Sequence, residues 1–398
     1  MIKVALVSTI QPETHYTRYL TTNLQKLYPK KLQLLLYVDD DKLNTKSIGG
    51  ITNIHIVWKK GIFYPFLIIK QVVADHIRIV HLQQEMNMYG KPLTAIIFPF
   101  LVLVLFLFRK KVIITFHAAP KLTEIDYQFL RTFSYPENKL TLLAAKTAFR
   151  YLYMASSLFS SKIIVHTNYI KKTLIADYKL NGKKIVVVPI GVEKPHTVIA
   201  PDVFDETHLK IKKPQKIILF FGFLLKRKGL EYLIDAYAKL EKKFPNFLLI
   251  LAGGTLDYQN TYINELKQRV KKYRLNKKII FTAFLNEKQI HYLYQNCYCL
   301  VLPYTYSISS SLPLSFAIMY HKPVIATSIG SLKEEIADKQ EGLLCKPTDT
   351  NDLQKKIELL ITDNRLYHTL EQGMKRKFQL RTWENVAKDT FKIYESLK

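Results

Sequence analysis

The chain has 398 residues, of which 48% are hydrophobic and 23% charged, so two domains can each bury a core and extensive disorder is excluded. Its 59 Lys and Arg residues against 32 Asp and Glu residues give a formal net charge of +27. Because the basic residues are spread along the whole chain, they favour a solvated surface that attracts anionic partners. They do not indicate a nucleic-acid-binding module, and no nucleic-acid partner is expected.

Apolar, β-branched segments alternate with helical patterns through the first half of the chain. Near-continuous apolar runs of this kind predict parallel strands that helices cover on both faces. The predicted strands are residues 2–8, 32–37, 54–58, 77–82, 112–116, 162–166 and 184–189. The first half is therefore predicted to be a doubly wound α/β domain.

The longest apolar run covers residues 95–108 and is ended by Arg109, Lys110 and Lys111. It is too short for the roughly 20 residues that a membrane-spanning helix needs. We predict a buried core helix, with a helix lying on a membrane surface as the alternative. The segment 142–159, which combines aromatic and basic residues, is a second candidate for such membrane contact.

A polar stretch with Pro195, Pro201 and Pro214 interrupts the strand and helix patterns, as domain linkers often do. The patterns then resume, with strands predicted at residues 217–221, 247–251, 278–281, 298–302 and 323–327. We predict an N-terminal domain over residues 1–195 and a C-terminal domain over 196–378. An amphipathic helix is predicted within 379–398, and its return to the N-terminal domain is left open.

The most informative stretch follows the first strand of the second half. The strand runs into Gly222, a loop carries Lys226, Arg227 and Lys228, and Gly229 stands where an amphipathic helix begins. Exposed amides at a helix N-terminus and adjacent cations predict a binding site for a diphosphate. A surface turn with solvated cations is the alternative interpretation.

This order of strand, glycine, loop, Lys228, Gly229 and helix resembles retaining glycosyltransferases of family 4. Segments 112–117, 251–255, 281–288, 322–327 and 341–344 are similar to further landmarks of that family in the same order. The resemblance implies a GT-B fold, in which two doubly wound, Rossmann-like α/β domains face each other across a cleft. It also implies that the N-terminal domain binds the acceptor and the C-terminal domain binds the nucleotide-sugar donor.

The resemblance assigns roles to particular residues. It implies catalytic roles for His117, Arg227 and Lys228. Donor binding is expected from Gly222, Phe223, Gly253, Gly254, Ala283, Phe284, Ser309, Ser310, Ser311 and Leu312.

The sequence also departs from the family pattern. Phe223 stands where the family commonly has Arg, and the family's two glutamates fall on Ile308 and Phe316, whose side chains accept no hydrogen bond. The Ser-rich turn that ends at Ser311 resembles relatives that lack these glutamates. Its alternative role is to cap the following helix.

The expected activity is that of a retaining hexosyltransferase that uses a UDP- or GDP-sugar, with no other cofactor and no metal. The expected acceptor is a glycan or a lipid-linked molecule of the cell envelope. A cytoplasmic location is expected, with peripheral contact to the inner face of an anionic membrane as an open addition. The alternative function is a catalytically inactive GT-B protein that binds a glycan, a nucleotide or a partner.

Overall fold

A computed structural model of the chain describes residues 1–9, 14–40, 53–86, 88–90, 92–132, 135–197, 216–254, 260–307 and 309–398. The chain forms two compact units. The first unit comprises Met1–Gly191 and Arg381–Lys398, together with Ser309 and Ser310. The second comprises Val192–Ser307 and Ser311–Leu380. Part of the predicted linker, including Pro201 and Pro214, lies outside the described residues.

The strands are short, apolar and mostly buried. They are β1 (Ile2–Val7), β2 (Leu32–Asp39), β3 (Ile54–Trp58), β4 (Ile79–Gln84), β5 (Lys111–Phe116), β6 (Lys162–Val165), β7 (Ile185–Val187), β8 (Lys216–Phe221), β9 (Phe247–Ala252), β10 (Ile279–Phe281), β11 (Cys297–Leu302), β12 (Val324–Thr327) and β13 (Gly342–Cys345).

Helices connect nearly all of these strands. They are α1 (Thr14–Leu27), α2 (Tyr64–Ala74), α3 (Pro92–Leu107), α4 (Tyr127–Thr132), α5 (Lys139–Phe159), α6 (Asn168–Ala176), α7 (Leu230–Leu240), α8 (Asn260–Lys272), α9 (Glu287–Asn296), α10 (Leu312–Met319), α11 (Gly330–Glu335), α12 (Thr350–Thr362), α13 (Asn364–Leu380) and α14 (Trp383–Glu395).

Both units are built on parallel sheets. Within the described residues, the first sheet has the strand order β3-β2-β1-β4-β5-β6-β7 and the second has the order β10-β9-β8-β11-β12-β13. In each sheet the order reverses beside the first strand of the unit, which is the point where doubly wound sheets bind ligands beyond the carboxyl ends of their strands. The predicted architecture of two doubly wound α/β domains is confirmed at the level of each unit.

Helices cover both faces of the first sheet. One face packs against α1 and α14, and the other packs against α2, α3, α5 and α6. The predicted core helix at residues 95–108 is α3, which buries Phe98, Leu101 and Leu105 against the sheet. Its opposite side stays exposed at Phe100 and Phe106. The core prediction is therefore right for one side of the helix only.

The last helix of the chain belongs to the first unit. The indole of Trp383 lies so close to Gly191 that an added Cβ there would stand 2.4 Å from the ring. Phe391 stacks on Tyr28 with ring centroids 3.6 Å apart. Trp383 and Phe391 are both buried, so α14 is an integral part of the first unit's core.

The second unit contains one strand that the sequence pattern did not predict. β13 has only four residues and begins with Gly342, and it pairs with the predicted strand β12 at the edge of the sheet. Unlike the equally short β12, this run contains no β-branched residue, so its composition does not mark it as a strand. By contrast, the predicted apolar stripe of α7, from Leu230 to Leu240, is buried against the second sheet.

Close packing at Gly373 provides a test of the second unit. A Cβ at this position of α13 would stand 1.7 Å from the carbonyl oxygen of Gln340. Replacing a helical Gly by Ala gains about 1 kcal/mol of helix propensity, but overpacking costs about 1–3 kcal/mol, and this contact is at the severe end. We expect Gly373→Ala to lower the free energy of unfolding by roughly 2 kcal/mol in urea denaturation. Gln372→Ala, at the exposed neighbouring position, is the control, and equal stability of the two variants would contradict this packing.

Candidate functional site

Two glycines let the loops after β8 and β9 approach each other. A Cβ on Gly253, where φ is +133°, would stand 2.1 Å from the carbonyl oxygen of Gly222. The Gly253 amide donates to the carbonyl of Ala283 after β10 (3.1 Å), and Ala283 has a φ of +59°, which is costly for a residue with a side chain. The carboxyl ends of three neighbouring strands thus meet in a tight backbone floor.

The basic loop after β8 is held by a turn and by the strand next to it. Lys226–Lys228 form a 3₁₀ turn that ends at Gly229, whose φ is +64°. A Cβ on Gly229 would stand 2.1 Å from the carbonyl of Pro303, just beyond β11. The Thr305 amide donates to the carbonyl of Arg227 over 3.0 Å. The positions of Arg227 and Lys228 are therefore fixed before any ligand arrives.

The ammonium group of Lys228 lies in an unusual environment. Its Nζ stands 3.5 Å from the centre of the Tyr304 ring, in cation–π geometry. In the part of the chain that the structure describes, no carboxylate forms an ion pair with it. Burial, and to a smaller extent the charge of Arg227, hold the pKa of Lys228 well below its usual range. An anion placed here would stabilise the charged form of Lys228 against both its burial and the repulsion from Arg227.

The start of α10 borders this cation. Burial raises the pKa of Tyr304 to about 12, and the adjacent Ser311 hydroxyl partly offsets that rise. Ser311 is the N-cap residue of α10, yet its side chain makes no capping hydrogen bond, and Pro313 of α10 faces Gly222. The first amides of a helix have no intrahelical acceptor. Lys228 and the N-terminus of α10 thus supply positive potential to one place.

Two exposed aromatic rings lie beside the glycine floor. Phe223 follows Gly222 and is 45% exposed, and Phe284 follows Ala283 and is 63% exposed. Their ring centroids are 6.0 Å apart in an edge-to-face arrangement. A Cβ on Gly254 would stand 2.2 Å from the Phe284 ring, so this ring lies on bare backbone. Exposed rings at this place offer a stacking surface to a planar group.

The family's two glutamates fall at Ile308 and Phe316 in this sequence, and the structure describes only one of these positions. Ile308 lies outside the described residues. Phe316, on α10, is buried within an aromatic cluster, stacked on Tyr294 (5.2 Å) and edge-on to Phe221 (6.0 Å). Its ring is part of the core of the second unit.

Ten predicted residues belong to the second unit, and the contacts above link most of them at one edge of its sheet. They are Gly222, Phe223, Arg227, Lys228, Gly253, Gly254, Ala283, Phe284, Ser311 and Leu312. His117, Ser309 and Ser310 belong to the first unit. Tyr304 was not singled out from the sequence. The available signal was a tyrosine two residues after the end of a buried strand.

In the first unit, polar side chains lie at the carboxyl ends of β4, β5 and β6, at the same sheet edge. His117 Nδ1 lies 2.9 Å from His166 Nε2, and His166 Nδ1 lies 2.9 Å from the Val188 carbonyl oxygen. His117 Nε2 lies 2.7 Å from the side-chain amide of Gln83. Tyr16 packs its ring edge-on against His117. Both nitrogens of His117 therefore have partners within the unit, and the sequence missed Gln83.

The hydrogen bonds fix the tautomers of these rings. A carbonyl only accepts, so His166 carries its proton on Nδ1 and accepts at Nε2 from His117 Nδ1–H. His117 Nε2 is then an acceptor, so the Gln83 amide, whose Oε1 is placed 2.7 Å from it, is assigned in the flipped orientation with its NH₂ group toward His117. The Gln83 oxygen then faces His81 Nε2 at 3.3 Å. For His117 to contact a substrate hydroxyl through Nε2, it has to exchange the bond to Gln83.

The network is completed by buried groups of the same unit. His81 Nδ1 accepts from the hydroxyl of Tyr394 (2.7 Å), and its Nε2–H donates to Thr115 (2.7 Å). Burial lowers the pKa of His81 to about 3 and that of His166 to about 4. Burial and then the neighbouring His166 hold the pKa of His117 well below its usual value. All three rings are neutral near pH 7.

A search of the described residues for three or more His, Cys, Asp or Glu side chains placed to hold one metal ion finds no such group. The predicted absence of a metal requirement stays a prediction.

Comparison with known proteins identifies relatives of part of the chain. Residues 204–377 match the family model described as glycosyl transferases group 1. Mannosylfructose-phosphate synthase of Agrobacterium fabrum is 29% identical over 230 residues, which cover 56% of this chain and 50% of that protein. An uncharacterized glycosyltransferase of Methanocaldococcus jannaschii is 28% identical over 251 residues, which cover 62% and 63%. The chain thus spans less than two thirds of the length of each of these relatives.

Solved structures match the chain over its full length. HepE of Anabaena in complex with UDP superposes with a TM-score of 0.73 at 16% identity, covering 100% of both chains. Sucrose-phosphate synthase of Thermosynechococcus elongatus gives a TM-score of 0.73 at 18% identity, covering 100% of this chain and 99% of that one. These likenesses show the GT-B fold, and the predicted fold class is confirmed.

The neutral histidines predict how stability depends on pH. Because their pKa values are lowered by folding, the unfolded chain binds more protons, and the stabilisation is complete above about pH 6.5 and declines below it. Each ring should contribute a loss of about 1.4 kcal/mol per pH unit as the pH falls from 6 toward 4.5. Urea denaturation at a series of pH values gives the free energy of unfolding as a function of pH. For His117→Gln, the slope of that free energy against pH should be smaller than for the wild type by this amount. An unchanged slope would mean that His117 is already protonated in the folded chain.

Proposed function

We propose that the chain is a glycosyltransferase that moves a hexosyl group from a nucleotide-sugar donor to an acceptor hydroxyl with retention of configuration. One observation carries the proposal. The half-buried ammonium of Lys228 has no carboxylate partner among the described residues, and it stands beside the N-terminus of α10 within the segment that matches glycosyl transferases group 1.

The chemistry needs positive charge at this point. As the bond between the anomeric carbon and the phosphate oxygen breaks, the departing diphosphate gains negative charge. Lys228, Arg227 and the first amides of α10 are proposed to stabilise that charge, because preorganised donors in a poorly solvated site act more strongly than in water. The acceptor oxygen forms the new bond to the anomeric carbon, and its proton passes to the leaving diphosphate. Side-chain cations carry the proposed charge stabilisation, so we propose transfer without a metal.

The aromatic rings beside the glycine floor suit the nucleobase. Phe223 and Phe284 are proposed to pack against the base, and the backbone at Gly253 and Gly254 is proposed to approach the nucleotide closely. HepE of Anabaena has been solved with UDP and with UDP-glucose, which supports a nucleotide-sugar as the donor here, with UDP- or GDP-sugars as the candidates. Ser309 and Ser310 remain predicted donor contacts.

The acceptor is proposed to be a glycan or a lipid-linked molecule that the first unit binds. His117 is proposed to contact the reacting sugar after its Nε2 exchanges the bond to Gln83 for one to a hydroxyl. Because His117 is neutral and its Nδ1–H is held by His166, Nε2 is available as an acceptor. A neutral ring in this position orients a hydroxyl without adding a positive charge near the anomeric carbon.

A second candidate function is nucleotide or glycan binding without catalysis. The observation that favours it is Phe316, whose ring lies in the core at a position where the family has a glutamate. Release of nucleoside diphosphate from any hexose donor, above a Lys228→Met control, would rule this alternative out.

Calorimetry with UDP-, GDP- and ADP-sugars tests the proposed donor site. We expect one nucleotide class to bind saturably and Lys228→Met to weaken it about 10- to 100-fold, which corresponds to the roughly 1.5–3 kcal/mol of a charge-assisted hydrogen bond. The same variant should melt at a higher temperature than the wild type in the absence of nucleotide, because Met keeps the apolar stem and removes a desolvated charge.

The matched control is Lys226→Met, since Lys226 is an exposed cation in the same turn. It should bind nucleotide as the wild type does. If the two variants lose nucleotide affinity equally, the binding is a nonspecific attraction by the basic loop and not recognition by Lys228. Absence of binding for all three nucleotide classes would contradict the proposed function.

A further inference from the structure

The first unit has an exposed apolar surface on the helices that cover one side of its sheet. We name it the three-helix face and define it by Phe63 and Phe66 at the start of α2, Phe100 and Phe106 on α3, and Leu143 and Leu158 on α5. Each of these side chains is at least 38% exposed, and Leu158 reaches 70%. Single exposed apolar residues need no explanation, but a contiguous set of this size marks a binding surface.

The side chains of the three-helix face form one surface. The rings of Phe66 and Phe100 are in contact, with centroids 5.7 Å apart, which joins α2 to α3. Phe106 contacts Phe159 at the end of α5, with centroids 5.5 Å apart, which joins α3 to α5. The opposite sides of all three helices pack into the same core. The exposed sides therefore point away from the sheet together.

The exposed side of α5 shows the pattern most clearly. Its exposed apolar residues are Leu140, Leu143, Tyr151, Met154 and Leu158, at successive intervals of three, eight, three and four residues. This spacing places them on one stripe of the helix. The buried residues Leu152 and Tyr153 lie on the opposite side. The helix α5 therefore carries apolar residues on its solvent side as well as on its core side.

The charges on the three helices have a single sign. The sequences of α2, α3 and α5 contain no Asp or Glu, whereas Lys70, Lys139, Lys146 and Arg150 lie on α2 and α5. Arg109, directly after α3, is a further exposed cation. The nearby acidic residue Glu137, before α5, is paired with Arg131 over 2.6 Å. The three helices therefore present apolar and basic side chains to this face, and none of them carries a carboxylate.

We infer that the three-helix face docks the protein onto an anionic lipid bilayer. Apolar side chains enter the boundary between headgroups and acyl chains, while flanking basic residues meet the negative surface potential. A second copy of this chain fits the face less well, because a symmetric contact brings its basic residues against each other. No helix of the described residues is long and apolar enough to cross a membrane.

Vesicle flotation of the full chain tests this inference without a donor or acceptor, and so independently of the proposed transfer. With phosphatidylcholine vesicles that contain phosphatidylglycerol, we expect binding at low salt that weakens at high salt, and little binding to pure phosphatidylcholine. Reversing two basic residues, in K146E/R150E, should lower the partition coefficient at least about 20-fold, from roughly five-fold per basic residue. The apolar variant L143D/L158D should also reduce binding.

Two control variants test whether vesicle binding depends on the three-helix face and not on charge or apolar residues elsewhere in the chain. K271E/K272E changes two exposed lysines of α8 in the second unit by the same charge, and Leu380→Asp places an acid at an exposed leucine of α13. Both should bind vesicles as the wild type does. If K271E/K272E lowers the partition coefficient as much as K146E/R150E does, attraction by the net charge explains the binding and the inference is wrong. Binding that no face variant alters, or a dimer in solution that the face variants dissociate without any vesicle binding, overturns it.

Discussion

The structure depends at its site on the placement of one cation, Lys228, which no carboxylate of the described residues balances. Lys228 is fixed by a turn that only Gly229 allows, because any side chain there would meet the carbonyl of Pro303. Its charge is only partly offset by the face of Tyr304. Such an arrangement costs folding free energy, and proteins retain it where a ligand supplies the missing opposite charge. The glycine floor and the aromatic pair follow strands of the same sheet at the same edge as this charge.

The two units differ in the charge of the groups at corresponding sheet edges. In the second unit, the charge of Lys228, which has no carboxylate partner among the described residues, lies where a diphosphate is proposed to leave. In the first unit, burial keeps His81, His117 and His166 neutral, and a chain of hydrogen bonds that ends at the Val188 carbonyl orients them. A network of neutral rings selects one tautomer without adding charge. Orientation in one unit and charge stabilisation in the other are the two contributions that the proposed reaction requires.

Much of this could be predicted from the sequence, for physical reasons that differ between features. The strands were predictable because parallel strands buried on both faces need continuous apolar runs. β13 was missed because its four residues begin with Gly342 and include no β-branched side chain. The loop from Gly222 to Gly229 was found through its glycines and cations. The roles of Tyr304 and Gln83 were not, because both act through tertiary contacts that no local pattern records. The same applies to α3, whose uniformly apolar sequence did not reveal that one side is exposed.

The most direct test of the central claim is the ionisation of Lys228 itself. In protein labelled at lysine Nζ, its resonance can be assigned by comparison with Lys228→Met and followed with pH by NMR, first alone and then with the nucleotide that binds. The account predicts a pKa well below that of the other lysines in the free protein, and a rise when the diphosphate binds. A pKa in the ordinary lysine range that the nucleotide does not change would contradict it.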